Sequence, residues 1–164
     1  MVYERVDKVS FAAPADERYF EDYVAGSVYE FGDFTVTEAD VVDFARRFDP
    51  QYIHTDPDRA KNGPFKGLIA SGWHSGAILC RLMVDHYISH VASLGSPGVD
   101  EMRWLHPVRP GDKLRIRTKI TETRLSKSKP DRGLVSCEVE MINQDDQPVM
   151  SLKITNLLSK RPTA

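Results

Sequence analysis

The sequence has little that would tie it to a metal, a membrane or a nucleic acid. Cysteine is down to two residues in 164, Cys80 and Cys137, far apart and each inside an apolar pattern. Both are expected as buried thiols, with no disulfide or metal role. His86 and His90 stand four residues apart, but no third ligand and no HExxH pattern accompanies them, so they are expected on a helix face and no metal is expected. No apolar run approaches the roughly 18 residues that span a membrane. Met1 to Ala15 carries Glu4, Arg5, Asp7 and Lys8 and lacks the apolar core of a signal peptide. A cytoplasmic protein with no membrane partner is the expectation. No charge of one sign dominates either. The formal net charge is −2 and the pI about 6.2, which gives nucleic acid no electrostatic footing.

What remains is an ordinary globular composition, 41% hydrophobic and 28% charged, long enough for one domain with its own core. Residues 1–15 read as a tail or strap ahead of a single domain over 16–160. The most constrained stretch is Phe48-Asp49-Pro50-Gln51-Tyr52-Ile53-His54-Thr55-Asp56-Pro57. A residue preceding proline avoids the right-handed helical region, so a helix must stop near Phe48. Asp56 and Pro57 are N-cap and first-turn residues of a new one. Between those stops, on a short loop, sit a carboxylate and an imidazole, Asp49 and His54. Their five-residue spacing does not place them on one helix face, but a loop that folds back brings such a pair over a substrate.

Around this stretch the pattern alternates between helix and strand. Val28 to Val36 reads as a strand. Thr37 opens a helix with Asp40 as its capping-box partner, and Val41, Phe44, Ala45 and Phe48 form its apolar face. A short helix follows near Pro57 to Lys61, broken by Asn62-Gly63-Pro64. A long helix is expected from about Ser71 to Val91, apolar nearly all round and therefore buried. Its first turn is small-sided, with Ser71, Gly72, Ser75 and Gly76, which fits close approach of a backbone or a ligand. Period-two patterns then place strands at Val99 to His106, Leu114 to Thr123, around Val135 to Met141, and around Met150 to Ile154. Short turns between them imply an antiparallel four-strand meander. The fold class is α+β, a sheet packed on a buried helix.

Three segments now carry a family resemblance. Asp49, His54 and Asp56 are similar to the Asp, His and following acidic residue of a hydratase signature. Gly67-Leu68-Ile69-Ala70-Ser71-Gly72 is similar to the approach to a central helix, and Pro107-Val108-Arg109-Pro110-Gly111-Asp112 to a Pro-Val-x-x-Gly-Asp turn. From Tyr19 to Leu158 the chain resembles the MaoC-like dehydratases, hotdog-fold proteins that include (R)-specific enoyl-CoA hydratases. The resemblance implies a curved antiparallel sheet wrapped around a long central helix, and a dimer or larger homo-oligomer with sheets joined edge to edge. It implies an acyl-thioester substrate, and no cofactor beyond the CoA that is part of that substrate. The signature has Gly before the Asp and Asn-Pro two and three residues after it; Phe48, Gln51 and Tyr52 stand there in this chain.

Hydrating a trans-2-enoyl thioester requires deprotonating a water as it attacks C3, delivering a proton to C2, and stabilising charge on the thioester oxygen. Asp49 and His54 are the expected acid/base pair. The backbone N–H groups of Gly72 and Trp73, helped by the Ser71 side chain, are the expected oxyanion donors. Phe48, Gln51, Tyr52 and Trp104 are candidates for the acyl pocket, and Tyr52, Trp73, Met102 and Trp104 are equally compatible with core packing. Plainer roles stand beside these. Asp49 also suits closing a turn before Pro50, His54 and His74 suit structural positions, Ser71 suits an N-cap, and His106 a strand end. The basic Arg124 to Arg132 hairpin is either a solvated loop or a contact for CoA phosphates. Two rivals share the fold, a thioesterase that aims the water at the carbonyl carbon and a non-catalytic acyl-thioester-binding subunit.

Overall fold

The computed structural model describes residues 9–163. Its elements run β1 (Val28–Thr35), α1 (Glu38–Phe48), α2 (Tyr52–Thr55), α3 (Pro57–Lys61), α4 (Gly72–His86), β2 (Val99–Trp104), β3 (Lys113–Leu125), β4 (Arg132–Ile142) and β5 (Pro148–Ser159). All five strands form one antiparallel sheet in the order β1-β3-β4-β5-β2. Period-two patterning sends Leu114, Ile116 and Ile120 of β3 and Val135, Val139 and Met141 of β4 inward, all fully buried. They join Ile78, Leu79, Leu82 and Met83 of α4 in one core. Register shifts in β1, β2 and β3 bend the strands. In β1 the bend falls at Gly32, with φ +107°, where an added Cβ would lie 2.8 Å from Leu82 Cδ2. Glycine there serves both the backbone angle and the close passage of α4. The result is the α+β hotdog arrangement, a curved sheet around one helix.

Three expectations are corrected. The meander is three strands long, not four. β1 already occupies the outer edge of β3, pairing Val28 with Lys119, so β2 bonds the far edge of β5, pairing Val99 with Ile154 and Trp104 with Met150. The central helix stops at His86 rather than continuing to Val91. There the Arg18 guanidinium donates to the carbonyls of His86 and Tyr87 at 3.1 and 2.9 Å, and the Ile88 amide reaches back five residues to Met83 O at 2.8 Å. The helix is also not buried all round. Trp73, Ala77, Cys80 and Val84 form an exposed stripe along it, so Cys80 is an exposed thiol while Cys137 is buried.

Of the expected N-terminal tail or strap, 1–8 lies outside the described residues. Beyond it the Val9 amide donates to Val28 O at 3.0 Å, and the Phe11 ring stacks on Tyr29 at 4.0 Å. Arg18 lies over the other side of Phe11, 3.6 Å from its centroid. Among the described residues no helix is long and apolar enough to cross a membrane.

Candidate active site

Local rules build the site. The Thr37–Asp40 capping box starts α1. The helix ends where the Asp49 amide closes on Ala45 O at 2.8 Å, because Pro50 cannot continue it. The Asp49/His54 stretch is then not a plain loop. After Pro50 and Gln51 the chain makes one helical turn, α2, that carries His54 inward, and Asp56 caps α3 through the Arg59 amide. That turn brings His54 Nε2 to 3.4 Å from Asp49 Oδ2.

The other imidazole nitrogen fixes the ring. His54 Nδ1 lies 2.8 Å from Ile69 O in a buried contact. A carbonyl only accepts, so Nδ1 carries the hydrogen and Nε2 is the nitrogen offered to Asp49 and the cleft. Asp49 is held on both oxygens. Gln51 Nε2 donates to Oδ1 at 2.7 Å and the Ser71 hydroxyl to Oδ2 at 2.7 Å. These two donors, Gln51 first, hold the Asp49 carboxyl below its usual range against the opposing effect of burial. Asp49 is therefore a carboxylate at neutral pH.

Ser71 also caps α4, accepting the Trp73 amide at 3.3 Å. Its hydroxyl is thus committed to Asp49 and its lone pair to Trp73. The Gly72 amide, first of the helix, has no intrahelical acceptor. Gly72 itself is pressed by Trp104, whose indole Nε1 donates to Gly72 O at 2.8 Å and whose Cε2 would lie 2.5 Å from an added Cβ. Trp73 meets Trp104 edge-on at 5.5 Å.

These groups open on a cleft of about 490 Å³. Asp49, Gln51, His54, Gly72, Trp73 and Trp104 line it. Phe48 and Tyr52 do not. Phe48 packs on the Phe44 ring at 5.0 Å, and Tyr52 lies under the Arg59 guanidinium at 4.1 Å. The Arg124 to Arg132 hairpin is outside the cleft, with Arg132 paired to Asp131 and Arg124 to Glu122. His74 is buried against Phe44 at 4.7 Å, and burial lowers its pKa below 6.5.

Sequence reasoning missed part of the wall. Ile53, Phe65, Ile69, Leu105, His106, Pro107 and Val108 also line the cleft. The available signal was adjacency. Leu105 and His106 directly precede the Pro-Val-x-x-Gly-Asp turn, and Ala70 N–H donates to Val108 O at 2.8 Å, joining that turn to the approach to α4.

The MaoC like domain family matches residues 22–141. The chain belongs to this family. A MaoC-like dehydratase from Rhodospirillum rubrum superposes with a TM-score of 0.79 at 34% identity, covering 89% of this chain and 99% of that one. The 3-hydroxyacyl-thioester dehydratase Z of Mycobacterium tuberculosis is 35% identical over 88 residues, which are 52% of this chain. The match spans 58% of that enzyme, less than two thirds of its length. The unliganded (R)-hydratase PhaJ1 of Pseudomonas aeruginosa shares the fold, with a TM-score of 0.70 at 23% identity over 87% of this chain and 86% of that one.

Proposed function

We propose that the chain is an acyl-thioester hydratase/dehydratase, a hydro-lyase interconverting trans-2-enoyl-CoA and 3-hydroxyacyl-CoA, with Asp49 and His54 as its acid/base pair. The observation that carries this is the 3.4 Å approach of Asp49 Oδ2 and His54 Nε2 at the cleft wall, with each partner held from behind. In the neutral ring Nε2 is a lone pair, so it and a carboxylate oxygen are both acceptors. A water placed between them satisfies both with its two hydrogens. As its oxygen bonds to C3, one of those protons passes to His54 Nε2, and the Asp49 carboxylate steadies the imidazolium. The pair returns a proton to C2, ending in its starting state. The Gly72 amide at the positive end of α4 is the donor for the thioester oxygen, a contribution of about 3 kcal/mol to the barrier for one such donor. Ser71 acts by holding Asp49. No cofactor enters beyond the CoA of the substrate.

A second copy completes the partner set in this reading. β2 is an edge strand, and the exposed Trp73, Ala77, Cys80 and Val84 stripe runs along α4. Both are surfaces that a homodimer covers.

The test is loss of enoyl absorbance with crotonyl-, hexenoyl- and decenoyl-CoA. Wild type hydrates at least one of them, and Asp49→Asn and His54→Ala each lower kcat by a factor on the order of a hundred or more. Either variant keeping most of its activity overturns the assignment. Release of free CoA instead of hydration makes the chain a thioesterase.

A further inference from the structure

Acid/base hydration uses one imidazole, yet the cleft holds two. His106 lines it together with His54, and the proposed chemistry gives His106 nothing to do. Its ring is anchored through the same nitrogen as that of His54, although His54 is buried and His106 is exposed on the cleft wall. His106 Nδ1 lies 2.8 Å from Pro148 O, just as His54 Nδ1 lies 2.8 Å from Ile69 O. Each ring therefore commits its Nδ1–H to a main-chain carbonyl and keeps Nε2 for something else.

The backbone places His106 with respect to the reacting pair. Residues 104–108 run beside the approach to α4 and are pinned at both ends. Trp104 Nε1 donates to Gly72 O at 2.8 Å, and Ala70 N–H donates to Val108 O at 2.8 Å. His106 lies between those two pins in the chain and lines the same cleft as Asp49, whose carboxylate the Ser71 hydroxyl holds. Its neighbours on that wall, Leu105, Pro107 and Val108, are apolar. A plain hydrocarbon laid against them strips water from His106 Nε2 and returns no hydrogen bond, which is unfavourable. A substrate with a polar group facing His106 avoids the loss, so the site favours such a substrate over analogues lacking the group.

We propose that His106 is a specificity-determining residue whose Nε2 hydrogen-bonds a polar group of the thioester substrate outside the reacting carbons. The inference rests on the hydratase reading. Two sources supply the same chemistry, an amide of the pantetheine arm beside the thioester and a polar substituent on the acyl chain.

The experiment measures kcat/KM of wild type, His106→Leu and His106→Gln with three substrates. These are crotonyl ethyl thioester, which has no amide, crotonyl-CoA, and 6-hydroxyhex-2-enoyl-CoA. In His106→Leu the preference for a polar substrate over the ethyl thioester falls about tenfold, the worth of one hydrogen bond, and His106→Gln restores part of it. A fall shared by both CoA substrates assigns the contact to the pantetheine arm. A fall confined to the hydroxylated chain assigns it to the acyl group. Unchanged ratios, or an equal loss on all three, overturn the proposal. Absence of turnover by wild type is a separate result, which removes the hydratase reading and this assignment with it.

Discussion

At the scale of single residues the site is a set of side chains held by their neighbours. Asp49 cannot rotate freely because Gln51 and Ser71 grip opposite oxygens, and His54 cannot flip because Ile69 O holds its Nδ1. In the proposed chemistry, preorganisation of this kind lets the pair hold one water. His74 shows the opposite situation. It is buried on the ring of Phe44, and its Nδ1 has no hydrogen-bond partner among the described residues. Burial lowers its pKa below 6.5, with Asp40 opposing, so the folded state binds a proton less readily than the unfolded chain does. The stability contribution of neutral His74 is complete above pH 6.5 and is lost as the pH falls from there toward the folded value. His74→Phe keeps the stack and removes the titration. Its urea midpoint is expected to fall less than that of wild type between pH 7.5 and 5.5. Parallel declines would show that other groups carry the acid sensitivity; His90 is not among them, because its contacts with Val84 O and Asp16 raise its pKa and act in the opposite sense.

At the scale of elements, both ends of α4 are made by tertiary contacts. At its start Gly72 leaves room for Trp104. Alanine is the better helix former by about 1 kcal/mol, but a Cβ 2.5 Å from the indole Cε2 pushes Trp104 off its bond to Gly72 O. Gly72→Ala is expected to lower stability by about 1–3 kcal/mol, the range for overpacking, and to change tryptophan fluorescence. Equal or higher stability would mean the indole is not held there. At the far end Arg18, itself buried, donates to His86 O, Tyr87 O and Ala13 O. Its charge complements the negative end of the helix. Arg18→Ala strands those carbonyls and is expected to cost about 3 kcal/mol in a urea titration. Arg18→Lys keeps the charge without the planar fork and recovers only part of that. Full recovery by lysine would show that the charge alone matters.

At the scale of the whole molecule, one sheet and one helix enclose a core, and the cleft opens where the start of α4 meets the segment between β2 and β3. Among the described residues an apolar stripe on α4 and the backbone edge of β2 stay uncovered. A mass of twice 18.6 kDa by light scattering is the expected result for wild type. Val84→Glu, at a position 41% exposed in the single chain, is expected to shift the mass toward one copy without changing the circular dichroism spectrum. A dimer that survives this change would place the contact elsewhere.

The amino-acid sequence by itself determined the features that neighbours along the chain impose on one another. Thr37 with Asp40, Pro50 after Asp49, and Asp56 with Pro57 set where helices begin and end, and alternation in β3, β4 and β5 set which side chains face the core. Those signals are local because caps, proline geometry and strand periodicity act within a few residues. The three matching segments likewise mark the family within the sequence itself. Tertiary structure alone decided the rest. Which edge β2 joins depended on β1 already occupying the other, and α4 ended where a distant Arg18 met its carbonyls. His106 entered the cleft because Val108 pairs with Ala70, which lies far back along the chain. Such contacts carry no periodic trace, since each is a meeting of groups that only the folded chain brings within hydrogen-bonding distance.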